Sequence, residues 1–251
     1  MMSLVFGYVG AGMLAESLYP FSQVPFEAPG FARVEVRSAD QNLPVYVHDA
    51  GQGAPVVLYF MGNRGTLDSV REDLEMYADG GRSVIAMTYR GGGGEPGEPT
   101  EAGLKADALF AFDAIDYILP SHGAVVPVGY SLGTGLALHV AANREADGLI
   151  LVAPYSRVCD IASERVSLPV CNVPWLDRWQ STLDAPRVAE DVLLLHGLAD
   201  SLIPAWHSTI LLDSLPETTE VEAIFIEGGE HTTLPDFPVY AASIDRFLDA
   251  R

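Results

Sequence analysis

The sequence predicts an α/β fold: a mostly parallel, eight-stranded sheet flanked by helices, with a small helical cap excursion above one edge. Three observations predict it. Short runs that are apolar throughout recur along the chain, as strands buried on both faces do. Helical patterns separate these runs, and a single long gap in the rhythm is rich in proline and aromatic residues.

The elements follow in order. Phe31 to Arg37 alternates apolar and polar residues as a half-exposed strand does, and Leu43 to His48 reads as its antiparallel partner across an Asp-Gln-Asn turn. Val56 to Met61 is continuously apolar and ends at Gly62, and a helical stretch runs from Thr66 to Ala78. Ser83 to Tyr89 is a further strand, followed by a loop rich in Gly and Pro. Between Glu101 and Leu119, Glu101, Lys105, Asp113 and Asp116 form a narrow charged stripe, which predicts a helix packed over most of its surface. Strands are expected at 125–129, 148–152, 192–196 and 221–226, with helices at 132–144, 204–215 and 237–250. The last helix brings Tyr240, Ile244, Phe247 and Leu248 onto one apolar face.

Between Pro154 and Asp191 no strand pattern occurs. Pro169, Pro174, Pro186, Trp175, Trp179, Cys159 and Cys171 all fall there, and an unstructured loop of that length is uncommon in a compact domain. The expectation is a helical excursion over the carboxyl ends of the strands, where such folds carry their sites. The chain therefore divides into an N-terminal apolar segment, 1–30, and one domain, 31–251, with 154–190 as the excursion.

Composition excludes several functions. The 251 residues carry 34 Asp or Glu against 14 Lys or Arg, a formal charge of -20. A nucleic-acid binder needs clustered cations that displace counterions, so neither a phosphate backbone nor an anionic membrane surface suits this chain. Hydrophobic residues make up 49% and charged residues 19%, enough to build a large core. The apolar stretch Leu4 to Leu14 has no Lys or Arg before it and is followed by Glu16, so it lacks the charge of a secretory signal and the length of a spanning helix. A segment packed on the domain or on a second subunit is the favoured reading over an anchor or signal, and location stays open between cytoplasmic and exported or membrane-associated. With only Cys159 and Cys171, the expectation is two reduced thiols, with a single local disulfide as the alternative. No Cys-x-x-Cys or His-Glu-x-x-His spacing calls for a metal, and no cofactor is expected.

The chemistry concentrates in three places. Gly129-Tyr130-Ser131-Leu132-Gly133 lies where a buried strand gives way to a helix, the setting of a Gly-x-Ser-x-Gly elbow, in which flanking glycines let strand and helix close around a strained serine. A serine hydroxyl needs a base to take its proton and an acid to orient that base. His231, in Gly228-Gly229-Glu230-His231, and Asp200, in the segment His196 to Pro204, both follow the carboxyl end of a strand, on the rim expected for Ser131. The backbone amides of Leu132 and Asn63, the latter in Met61-Gly62-Asn63-Arg64-Gly65, are the candidate oxyanion donors. Competing residues fit less well: His139 and His207 sit within helices, His48 precedes the early turn, His122 lies in a polar connection, and His196 reads as structural support for the acid. Asp191 lies at the wrong end of its strand, Asp184 in the excursion, and Asp160 and Asp177 are the reserve acids.

Tyr89-Arg90-Gly91, Gly97-Glu98-Pro99-Thr100, Ser131-Leu132-Gly133-Thr134, Ala153-Pro154-Tyr155 and His196-Gly197 with Asp200 together make the chain from about Tyr19 to Phe247 resemble an α/β-hydrolase superfamily serine hydrolase. Within that superfamily it is most similar to the small esterases and thioesterases with an N-terminal membrane anchor. The resemblance implies a nucleophile at Ser131, an acid at Asp200, a base at His231 and oxyanion amides at Asn63 and Leu132. It departs from the family at Met61, where a loop histidine is usual, and in an apolar segment that is shorter and uncharged.

The expected activity is hydrolysis of a small-molecule carboxylic ester or thioester through an acyl-enzyme. A catalytically silent hydrolase scaffold is the alternative class, and a peptidase or lactonase would use the same triad. The loop Gly92-Gly93-Gly94-Glu95-Pro96-Gly97 formally fits a dinucleotide fingerprint, but its carboxylates and prolines oppose a pyrophosphate. Trp175 and Trp179 are either an apolar face over an acyl pocket or plain packing.

Overall fold

The computed structural model describes residues 18–173 and 176–251. The apolar stretch Leu4 to Leu14 and Trp175 lie outside the described residues.

The expected sheet is present. Strands β1 (Ala32–Arg37), β2 (Asn42–His48), β3 (Val56–Phe60), β4 (Ser83–Met87), β5 (Val125–Tyr130), β6 (Leu149–Val152), β7 (Val192–Gly197) and β8 (Val221–Ile226) form one sheet in the order β1-β2-β4-β3-β5-β6-β7-β8. β2 runs antiparallel to β1 and β4, and all other neighbours are parallel. β3, β4 and β6 are buried at every residue, which is why their sequences are apolar without alternation. At the edges the pattern changes: β1 alternates, and β8 leaves Val221 and Phe225 exposed.

Helices α1 (Arg71–Asp79), α2 (Glu101–Asp113), α3 (Ile115–Ile118), α4 (Gly133–Ala141), α5 (Val158–Val166), α6 (Trp206–Leu212) and α7 (Pro238–Asp249) account for the helical patterns. Thr100 caps α2 by accepting a hydrogen bond from the Gly103 N–H. The charged stripe on α2 is only part of its story. Asp107 sits on the opposite face, buried, where its carboxylate takes the Arg90 guanidinium at 2.6 and 2.7 Å and the Ser38 hydroxyl. Phe110 and, in α3, Tyr117 are exposed, so this region packs over less of its surface than the stripe predicts.

The strand order reverses at β3, which has β4 on one side and β5 on the other. In an open α/β sheet such a switch point leaves a crevice at the carboxyl ends of the two strands, between loops that diverge to opposite faces. The loop after β3 and the elbow after β5 open into this crevice. Residues 18–30 pack against the same body, with Tyr19 and Phe26 buried in the core and Phe21 lying against Gly65 and Gly92.

Between β6 and β7 the chain forms α5 and three short 3-10 turns, at Val170–Asn172, Ser181–Leu183 and Ala185–Arg187. Contrary to the expectation of reduced thiols, Cys159 and Cys171 are joined in a disulfide. The cause is local: Ser167 ends α5 in the left-handed region, at φ 53°, and turns the chain back so that the Cys171 Cα lies 5.1 Å from that of Cys159.

Candidate active site

The elbow is built by glycine. A Cβ on Gly133 would lie 2.0 Å from the Phe60 carbonyl oxygen, and one on Gly129 would lie 2.5 Å from the Gly133 carbonyl oxygen. With both absent, α4 starts directly against β3 and β5, and Ser131 is held at φ 52°, a conformation costing on the order of 1–3 kcal/mol for a non-glycine residue. The Ser131 N–H donates to the Val152 carbonyl at 2.9 Å, and its own carbonyl accepts the Thr134 hydroxyl at 2.7 Å. The main chain is thus fixed while the side chain stays free of capping, since α4 has no side-chain cap.

Ser131, His231 and Asp200 meet on the expected rim. His231 Nε2 lies 3.0 Å from Ser131 Oγ, and its Nδ1 lies 2.7 Å from Asp200 Oδ2. An ionised carboxylate only accepts, so Nδ1 carries the proton and Nε2 is left to accept from the serine hydroxyl. The other Asp200 oxygen, Oδ1, takes the N–H groups of Leu202 and Ile203, each at 2.8 Å. Burial pushes the Asp200 carboxyl up, but hydrogen bonds from His196, His231 and the Ile203 amide outweigh it and hold the group well below the usual carboxylate range.

The residues read as supporting or competing fall as follows. His196 is fully buried, with Nε2 2.8 Å from the Ile203 carbonyl and 3.5 Å from Asp200 Oδ2, and Nδ1 2.6 Å from Ser208 Oγ; it braces the acid's loop. His139 bonds Asp184, His122 bonds Asp116, and His48 bonds the Gly30 carbonyl. His207 faces Ser156 Oγ at 2.7 Å, and burial lowers its pKa to about 4. The reserve acids are engaged elsewhere: Asp160 with Arg157, and Asp177 with the Tyr19 hydroxyl and the Glu101 N–H.

On the oxyanion side, Asn63 and Leu132 line the same cavity as Ser131. Neither backbone N–H bonds another group among the described residues, so both can donate to a ligand. Gly62 packs against Ser131 and the Tyr130 ring, where a Cβ would lie 3.4 Å from that of Ser131. Met61, standing where the resemblance leads one to expect a histidine, is buried, and its carbonyl accepts the Tyr89 hydroxyl at 2.5 Å. The loop is thereby tied to the segment that follows β4. Sequence reasoning missed this role of Tyr89, and a tyrosine ending the neighbouring buried strand was the available signal.

A cavity of about 180 Å³ opens onto Ser131. Its walls are mostly apolar, from Val158, Ile161, Val170 and Leu176 in the excursion and from Leu202 and Ile203 beside Asp200, with the charged residues Arg165 and Asp177 also on the lining. Cys159 also lines it, so the disulfide ties this wall together. Cys159 and Cys171 lie near Asp160, but a disulfide sulfur is not a thiolate and offers no metal ligand. Trp179 is buried outside the cavity, with its Nε1 donating to the Tyr19 hydroxyl at 2.8 Å, so it packs the core and does not cover the pocket.

No family model matches the chain. The protein Rv2307c of Mycobacterium tuberculosis, itself uncharacterized, is 30% identical over 212 residues, covering 81% of this chain and 73% of that protein. The esterase Pf2001 of Pyrococcus furiosus shares the fold at a TM-score of 0.78 and 16% identity, covering 91% of this chain and 97% of that one. This chain has the α/β-hydrolase fold. Bovine lysophosphatidylserine lipase ABHD12 is 36% identical over 170 residues. That match covers 60% of this α/β-hydrolase and 42% of ABHD12, so the chain spans less than half the length of that relative. Among the described residues of the hydrolase, no helix is long and apolar enough to cross a membrane.

Proposed function

We propose that this α/β-hydrolase cleaves carboxylic esters or thioesters through a covalent acyl-enzyme. The observation that carries this reading is the hydrogen-bonded chain from Ser131 Oγ to His231 at 3.0 Å and from His231 to Asp200 at 2.7 Å, opening on a mostly apolar cavity. Ser131 attacks the carbonyl carbon while His231 takes its proton at Nε2 and returns one to the leaving group. Asp200 keeps the proton of Nδ1 in place and stabilises the imidazolium as it forms. The N–H groups of Asn63 and Leu132 receive the developing oxyanion, a donor whose loss costs about 3 kcal/mol in related chemistry. Water then repeats the sequence on the acyl-enzyme.

The mostly apolar cavity walls favour an acyl chain, with Arg165 and Asp177 as the charged groups of the same lining. The partial likeness to a lysophosphatidylserine lipase supports a lipid-like ester among the substrates. Hydrolysis of p-nitrophenyl esters from acetyl to palmitoyl, with Ser131→Ala as control, tests the reading. Turnover confined to wild type, with an optimum at the chain length that fills the cavity, is the expected result. Equal turnover by Ser131→Ala, or none by either protein on any ester or thioester, would leave a binding protein on a hydrolase scaffold.

A further inference from the structure

We propose that Tyr130 is a positioning residue for the base, its hydroxyl holding the main chain of His231 in register with Ser131. The inference rests on the serine-hydrolase reading above and extends it to a residue that reading leaves unused.

His231 needs such support because of where it sits. It lies on the loop that follows β8, the exposed edge strand, and precedes the 3-10 turn Leu234–Asp236. Much of the hydrogen bonding in this loop is internal: Gly229 to Ile226, Glu230 to Thr233 and Thr233 to Glu230. Apart from the His231 side-chain bonds to Asp200 and Ser131, its hydrogen bonds to other elements among the described residues are few: the Gly229 carbonyl accepts the Ala199 N–H at 2.9 Å, and the His231 carbonyl accepts the Tyr130 hydroxyl. Of these backbone ties among the described residues, the second acts on the histidine's own carbonyl.

Tyr130 is well placed for this. It is the last residue of β5 and shares a peptide unit with Ser131, so its hydroxyl connects the base's main chain to the nucleophile's. Its ring also lies 5.6 Å from the His231 ring, centroid to centroid, and 3.5 Å from where a Cβ on Gly62, in the loop after β3, would be. Asp200 restrains the imidazole at Nδ1 alone, and a ring held at one atom can still swing its opposite edge. A fixed carbonyl supplies the second point. Burial also raises the Tyr130 pKa above that of a free tyrosine, which keeps the hydroxyl protonated and able to donate near neutral pH. Catalysis is sensitive to this because displacing a reacting group by about 1 Å can cost on the order of 100-fold in rate.

The test is Tyr130→Phe in the full chain, with Tyr77→Phe as control, because the Tyr77 hydroxyl is buried with no partner among the described residues. Two quantities are measured: steady-state p-nitrophenyl ester turnover, and the first-order rate constant for inactivation by a fluorophosphonate. Tyr130→Phe is expected to lower kcat about tenfold, the effect of one hydrogen bond lost at a buried carbonyl, with KM changed less than about twofold. The inactivation rate constant should fall by a similar factor, and Tyr77→Phe should match wild type in both. Partial unfolding would reduce the amplitude of labelling but not its rate constant, so a fall in amplitude alone overturns the inference. A Tyr130→Phe kcat within about twofold of wild type, or a rise in KM at constant kcat, overturns it too. If wild type labels and turns over while Tyr130→Phe labels equally fast, only the positioning role fails; if wild type does neither, the hydrolase reading itself fails.

Discussion

Asp73 offers a quantitative test of the packing. It lies in α1, buried beneath the sheet, where its carboxylate accepts the Tyr59 hydroxyl at 3.2 Å and the Tyr240 hydroxyl at 3.3 Å. Burial raises its pKa from 3.8 to about 6, outweighing the two hydrogen bonds that favour the charged form. A rise of roughly two units corresponds to about 3 kcal/mol of destabilisation when the group is ionised in the folded state. The sign follows from proton linkage. Below the unfolded value both states are protonated and the cost vanishes; it grows as pH rises through the interval and is complete above the folded value. About half of it, roughly 1.5 kcal/mol, develops between pH 5 and pH 8, a range clear of the sequence pI near 4.4. Asp73→Asn keeps an oxygen for one tyrosine, turns an NH2 donor to the hydroxyl oxygen of the other, and removes the ionisation. Guanidinium denaturation of both proteins at pH 5 and pH 8 should show the variant gaining about 1.5 kcal/mol on wild type at the higher pH. A gap that does not change with pH would refute the argument that this carboxylate is desolvated.

Three further outcomes are expected from the site and its surroundings. Asp200→Asn should fold as wild type and lose on the order of 10⁴-fold in kcat, because the amide no longer enforces the proton on Nδ1; unchanged turnover would send the search for the acid to Asp160 and Asp177. Cys159→Ser with Cys171→Ser opens a loop closed across a 12-residue separation, worth about 3 kcal/mol on a chain-entropy estimate, and should lower the midpoint of thermal unfolding. The same double variant should broaden the acyl-length optimum, since α5 is a wall of the cavity; an unchanged optimum would mean that packing alone holds the wall.

Much of the fold was legible because its physics is local. Strands such as Val56–Phe60 and Leu149–Val152 are buried on both faces, and short β-branched apolar runs bounded by turn residues between helical patterns mark such strands. The elbow was legible for a related reason: Gly129 and Gly133 are demanded by backbone contacts that a Cβ would violate, so the motif records geometry directly. Ser131, Asp200 and His231 each follow the carboxyl end of a parallel strand, which brings them to one rim once the strand order is set.

Long-range pairing was not legible. The stripe on α2 hid Asp107, whose burial depends on Arg90 arriving from the loop after β4, and the clue was a cation in an otherwise glycine-rich turn. The pairing of Cys159 with Cys171 depends on the left-handed turn at Ser167, which spacing does not encode. Tyr130 read as the variable position of the elbow motif; its bond to His231 joins residues 101 apart in the chain.

The central claim is that Ser131 is an activated nucleophile, and covalent labelling tests it most directly. Trypsin releases Ser131 on the peptide from Ala106 to Arg144, a stretch with no other Lys or Arg before its end. After reaction with a fluorophosphonate, mass mapping should find one phosphonyl group on Ser131 of this peptide in wild type and none in Ser131→Ala. An unmodified peptide from folded wild-type protein, or an adduct that survives in Ser131→Ala, would contradict the account.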